Sequence, residues 1–253
     1  MSVIAFTGIK GGVGATTIAV NVAGLLSTRR ETALVAMNEA LDWSLHLRGK
    51  YARADRALPE GWKPAAPAQA DVWSSVPGPD AAMKCLALGV PEDGAADYAA
   101  LEKHAFQPFA ERGLLVADLP DYKLRRVMSL CPIGVHVRVV GADAVSMTAA
   151  IQQRDAFDES VAGNEGWSHY YLLNMIDPRR QLCRDLEAIA QEAFGGSLLA
   201  RLRFDASVSN AAADGQLVAD HAPHCQAAGD LNLLTDKIEA LAPDVSVATS
   251  LSA

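Results

Sequence analysis

Short apolar runs alternate with longer segments of helical spacing along most of the chain. Residues 3–7 are almost continuously apolar, which predicts a strand buried on both faces. Further strands are predicted at 32–37, 83–88, 114–118, 135–140, 170–173 and 198–204. Between them, helical spacing marks 16–27, 98–112, 121–130, 146–161, 180–194, 208–214 and 226–241. Regular alternation of this kind predicts an α/β fold, a mainly parallel sheet with helices on both faces. No internal repeat or linker divides the pattern. One domain is expected over residues 1–242, followed by a frayed tail at 243–253.

Two stretches break the alternation. Residues 38–49 leave the sheet, with a turn of helix expected at 42–47. Residues 54–80 carry Pro59, Pro64, Pro67, Pro77 and Pro79 and read as a surface excursion, since proline removes donors and restricts its neighbours. Trp62 and Trp73 are its large apolar anchors. They either pin the excursion to the body or form a partner-binding loop.

The first strand runs into GIKGGVGATT, Gly8 to Thr17, and then into a helix. Strand, glycine-rich loop and helix start form a phosphate cradle: successive backbone N–H groups face a concavity, and the helix N-terminus adds partial positive charge. Gly11, Gly12 and Gly14 let the backbone approach phosphate oxygens without Cβ interference. Thr16 stands where a P-loop hydroxyl ligates Mg²⁺, and Thr17 is placed to cap the helix and touch a phosphate. A standard P-loop ends G-K-[ST], but here Ala15 follows Gly14. Asp118 ends an apolar strand, where a carboxylate holds Mg²⁺ through water or caps a helix. Asn174 ends another, where its amide reads an adenine edge or forms a turn. Ligands of parallel sheets bind at these carboxyl ends.

Composition narrows the partners. The net charge is −8, which argues against wholesale DNA coating. Cys85, Cys131, Cys183 and Cys225 form no CxxC pair and suit free thiols in a reducing cytosol. No basic leader precedes the first strand, and no apolar run approaches the ~20 residues that cross a bilayer. A cytoplasmic protein is expected. His221 and His224 flank Pro223 without a supporting carboxylate pattern, so no zinc site is expected. Arg179, Arg180 and Arg184 form a basic cluster beside the presumed base pocket, either a solvated helix start or a contact for phosphate or an acidic partner.

Lys10 within KGGVG resembles the signature lysine of the deviant P-loop in the ParA/MinD superfamily. Within it the chain is most similar to the accessory Q family of bacterial cellulose-synthase operons (BcsQ). That similarity rests on residues 10–17, 43–47, 118–120, LLNMIDPRRQL at 172–182, FDASVSNAAADG from Phe204, and HAPHCQAAGDL ending at Leu231. It implies a homodimer that sandwiches ATP (or ADP) with Mg²⁺, Lys10 reaching the partner's phosphates. The nucleotide-binding residues carried over are Lys10, Gly11, Gly12, Val13, Gly14, Ala15, Thr16, Thr17, Asn174, Phe204 and Asp205, with Thr16 and Asp118 for the metal.

Two departures bear on activity. Ala15 stands in place of the phosphate-reaching lysine, whose interaction is worth roughly 1.5–3 kcal/mol, or ten- to a hundredfold in affinity. Met37 occupies the usual position of the aspartate that places the attacking water, with Asn38, Glu39 and Asp42 close by. Together the losses should slow hydrolysis by about 10³-fold or more. The resemblance therefore implies an accessory, regulatory protein of cellulose biosynthesis and secretion, with weak or no ATPase activity. It would dock on the membrane-embedded synthase machinery and its accessory subunits. The chain ends without a basic amphipathic helix, so direct membrane insertion is not expected. The alternatives are an active ATPase positioning pilus machinery, other polar cargo or DNA, and a nucleotide-free scaffold.

Overall fold

The computed structural model describes residues 2–37, 74–77, 82–87, 113–131, 134–161 and 166–242. The helices expected at 42–47 and 98–112, both tryptophans of the proline-rich stretch, and the tail at 243–253 lie outside them. The elements, in chain order, begin with β1 (Ser2–Gly8), α1 (Ala15–Ser27), β2 (Thr32–Ala36), β3 (Ser74–Pro77) and β4 (Ala82–Ala87). Then come β5 (Leu114–Asp118), a 3₁₀ turn (Asp121–Lys123), α2 (Leu124–Leu130), β6 (Gly134–Gly141), α3 (Ala144–Val161) and β7 (Trp167–Ile176). The described chain closes with α4 (Gln181–Phe194), β8 (Leu198–Arg203), α5 (Ala206–Ala213), α6 (Val218–His221) and α7 (Gln226–Leu241).

The strands form one sheet in the order β3-β4-β2-β5-β1-β6-β7-β8. Every pairing is parallel except β3 with β4. β1 lies between β5 and β6, which explains why residues 3–7 are apolar on both faces. On one face Ile4, Phe6, Val116 and Val137 pack with Ile18, Val22 and Leu26 of α1 and Leu231, Leu234 and Ile238 of α7. On the other, Val3, Ala5 and Leu115 pack with Leu124, Val127 and Met128 of α2. Farther along that face, Val140, Tyr171 and Leu173 meet Met147 of α3 and Leu186 and Phe194 of α4.

The structure corrects the sequence reading in several places. β3 lies inside the expected surface excursion and ends on Pro77, paired with Ala82. A proline is tolerated there because β3 is the sheet edge, where no ladder donor is required. The other edge, β8, is blunted by α7: Lys237 Nζ donates to the Leu199 carbonyl (2.8 Å), and Asp230 Oδ2 accepts the Arg203 N–H (3.0 Å). Helix α3 starts two residues before the expected 146 because Asp143 Oδ1 accepts the Ser146 N–H (2.9 Å). Helix α5 likewise starts early because Asp205 caps it through the Ser207 N–H (2.9 Å). Thr17 caps no helix: Gly14 is the N-cap of α1, and Thr17 lies inside the first turn. Among the described residues, Cys131, Cys183 and Cys225 form no disulfide. Among the described residues no helix is long and apolar enough to cross a membrane.

Gly134 and Trp167 are cross-strand partners. A Cβ on Gly134 would meet indole atoms at 2.7–2.8 Å. The ring cannot swing away freely, because Nε1 donates to the Cys131 carbonyl (2.8 Å). Gly134→Ala is expected to destabilise the protein by about 1–3 kcal/mol through overpacking, although alanine suits a strand better than glycine. The urea midpoint should fall with an unchanged slope. A midpoint equal to that of the unmodified chain would show that the indole moves aside.

Candidate functional site

The parallel register brings the carboxyl ends of β5, β1, β6 and β7 side by side. From the end of β1 the chain turns through Ile9–Gly14 and enters α1 at Ala15. Two glycines make that turn possible: Gly12 has φ 79° and Gly14 φ 88°. At Gly14 space is also limiting, since a Cβ there would lie 2.6 Å from Asn174 Nδ2. Val13 is buried between them and fixes the loop to the core, and its carbonyl accepts from Asn174 Nδ2 (2.9 Å). Asn174, expected to read a base edge, thus spends this amide donor on shaping the loop.

Beneath the loop, Thr16 Oγ1 donates to Asp118 Oδ2 (2.7 Å), and both side chains are buried. Asp118 Oδ1 is also buried and has no hydrogen-bond partner. Burial pushes the Asp118 carboxyl up to about 6, and the Thr16 bond only partly opposes this. An orphaned carboxylate oxygen beside a hydroxyl is an oxygen donor set that suits a hard divalent cation and its waters.

Above these groups opens a cleft of about 550 Å³. It is lined by Gly8, Lys10 to Thr17, Asp118 to Asp121, and Met175. A small, mostly apolar slot of about 30 Å³ adjoins it, lined by Thr17, Ile18, Asn174, Leu202, Arg203, Val208, Ala227 and Leu231. Lys10 Nζ lies 3.4 Å from Asp143 Oδ2, both half-exposed. The structure therefore brings together Lys10, Gly11, Gly12, Val13, Gly14, Ala15, Thr16, Thr17 and Asp118 around the cleft, with Asn174 at the slot beside it.

Other expected residues stand apart. Phe204 is 55% exposed and lines neither cavity. Asp205 also lines neither; Oδ1 caps α5 and Oδ2 accepts the Ala227 N–H (3.2 Å) at the start of α7. Met37 is fully buried in one apolar cluster with Leu119 and Leu124 and does not itself line the cleft. Arg179 pairs with Asp177 (2.9 Å), and Arg184 Nη1 donates to the Pro178 carbonyl (2.6 Å), so much of the basic cluster serves its own helix start. His221 pairs with Asp214 (3.2 Å), and no cluster of three or more metal-ligating side chains occurs among the described residues.

Two lining residues escaped the sequence reading. Asp121 Oδ2 accepts from Arg138 Nη2 (2.6 Å), a guanidinium buried under α3. Its position three residues after Asp118 was the available signal. Met175 carried none beyond following Asn174.

Solved structures with the same architecture include a ParA family ATPase from Chlorobium tepidum TLS (16% identity, TM-score 0.66, covering 93% of this chain and 96% of that one). The septum site-determining protein MinD from Pyrococcus horikoshii OT3, complexed with Mg-ADP, aligns at 16% identity and TM-score 0.68 over 94% of this chain and 96% of its own. A chain of the MinC:MinD cell division protein complex of Aquifex aeolicus gives 16% identity and TM-score 0.67 over 95% of this chain and 96% of that one. At these identities the likeness establishes the fold. No curated protein matches the chain in sequence. Residues 4–218 match the family model for the CobQ/CobB/MinD/ParA nucleotide binding domain, and the chain belongs to that family.

Proposed function

We propose that this chain binds ATP with Mg²⁺ in the cleft over Gly8–Thr17, as a nucleotide-sandwiched homodimer with weak or no hydrolysis. The observation that carries the reading is the unpartnered, buried Asp118 Oδ1 beside Thr16 beneath a glycine cradle. Thr16 and Asp118 hold the cation, which neutralises phosphate charge. The loop N–H groups and Lys10 hold the phosphates, and the base points toward Asn174 at the slot. Phe204 and Asp205, which line neither cavity, belong to the nucleotide set through the resemblance alone. Met37, buried among apolar side chains, supplies no group to orient water. An active cargo-positioning ATPase would need a carboxylate in its place.

The biological setting follows the resemblance to the BcsQ family. The dimer serves bacterial cellulose biosynthesis and secretion from the cytoplasm. It docks on subunits of the membrane-embedded synthase, and its nucleotide organises an interface rather than supplying energy. DNA is not a partner in this reading.

Isothermal titration with MgATP tests the central point. Once any carried nucleotide has been removed, binding is expected to be tight, with dissociation slow enough for ATP to survive purification, and to weaken ten- to a hundredfold in Thr16→Ala, the range for removing a hydrogen bond to a charged group. Steady phosphate release should not exceed that of Thr16→Ala; release well above it overturns the reading. Ala15→Lys should tighten MgATP binding by a similar ten- to hundredfold while phosphate release stays low, because Met37 is unchanged.

The pH dependence follows from Asp118. Its folded pKa lies above the unfolded value, so stability is full below about pH 4 and falls as pH rises through about 6. The ionised group costs roughly 3 kcal/mol at neutral pH without a cation. Asp118→Asn should therefore raise the melting temperature at pH 7.5, flatten the profile between about pH 4 and 6, and abolish stabilisation by MgATP. A variant that MgATP still stabilises fully would contradict the metal role.

A further inference from the structure

Among the described residues Met175 is the only one other than glycine with positive φ, at 64°. This left-handed conformation crowds a Cβ against the backbone, and glycine escapes the strain. Met175 sits where the pairing of β7 with β8 loses register, between Leu173 and Ile176. A glycine would make the same bend unstrained. Core packing does not explain the methionine either, since it is 42% exposed.

The bend aims the side chain at the ligand cleft. Met175 lines that cleft, and its terminal methyl lies 3.6 Å from the point a Cβ on Gly14 would occupy. Its neighbour Asn174 lines the adjoining apolar slot. The two residues therefore form the corner between the polar cleft floored by Asp118 and the apolar slot. A ligand with its phosphates in the cleft and its base toward the slot passes that corner with its sugar.

We propose that Met175 is a ligand-contact residue of the cleft, its thioether covering the sugar of a nucleoside triphosphate seated on the glycine loop. The proposal rests on the nucleotide reading above. A thioether suits this position because it is polarizable, conformationally adaptable and indifferent to the phosphate charge beside it. The strain is then retained because the methionine acts on the ligand and not on the fold.

Two variants test this, Met175→Gly and Met175→Leu, each melted without nucleotide and titrated with MgATP. Met175→Gly should melt at the wild-type temperature or about 2–4 °C above it, since the bend is relaxed. It should bind MgATP about tenfold more weakly, the scale of removing one apolar group from a pocket. Met175→Leu, nearly equal in volume, should bind within about twofold of wild type. Wild-type affinity in Met175→Gly overturns the proposal, as does a clear fall in its melting temperature, which would make Met175 a packing residue. Absence of MgATP binding by the unmodified chain overturns the nucleotide reading and the Met175 proposal with it. Binding by the unmodified chain with no weakening in Met175→Gly overturns the Met175 proposal alone.

Discussion

The Thr16 hydroxyl donates to the Asp118 carboxylate across the end of β1, and this bond joins the start of α1 to the end of β5. The backbone of Asp118 extends the junction: its carbonyl accepts the Met37 N–H (2.9 Å), while the Leu119 N–H goes to Phe6 (3.0 Å). One residue thus sets where β2 ends, where β5 leaves the sheet and how the loop sits above both. A carboxylate held there is destabilising unless something charged or polar answers its free oxygen. That unmet demand makes the cleft a ligand site and not a tight turn between strand and helix.

Binding and turnover separate in this geometry. Phosphate recognition by a glycine loop relies on backbone N–H groups and a helix terminus, and these survive any side-chain change at position 15. Hydrolysis requires a water to be held and developing charge to be met, which side chains do. Ala15 offers no charge, and Met37 is packed into the layer formed by α2 and the sheet. Restoring a carboxylate at 37 would also place a charge in that apolar layer, so the core resists recovering the lost chemistry.

The alternation of strand and helix and the loop with Thr16 were legible in the sequence because periodicity and glycine spacing are local signals. Asp118 was legible as one of two readings, and the distance to Thr16 decides which group it meets. What stayed hidden depends on contacts distant in sequence or on backbone angles. β3 was masked by the prolines around it, because its edge position emerges only from the assembled sheet. The Arg138–Asp121 pair links the middle of β6 to the turn after β5 through a guanidinium that the apolar run of β6 gave no reason to single out. Asn174 was read as a base reader, yet its amide also shapes the loop through Val13, a contact between residues far apart in the chain. The strained bend at Met175 has no periodic signature at all.

The most direct measurement is the identity of the small molecule carried by the protein itself. The chain is purified without added nucleotide, denatured, and the supernatant resolved by ion-pair chromatography. The account predicts ATP in amounts approaching one per chain, with little ADP. Protein that is folded and free of nucleotide, or that carries ADP in place of ATP, would contradict a clamp that holds its triphosphate without turning it over.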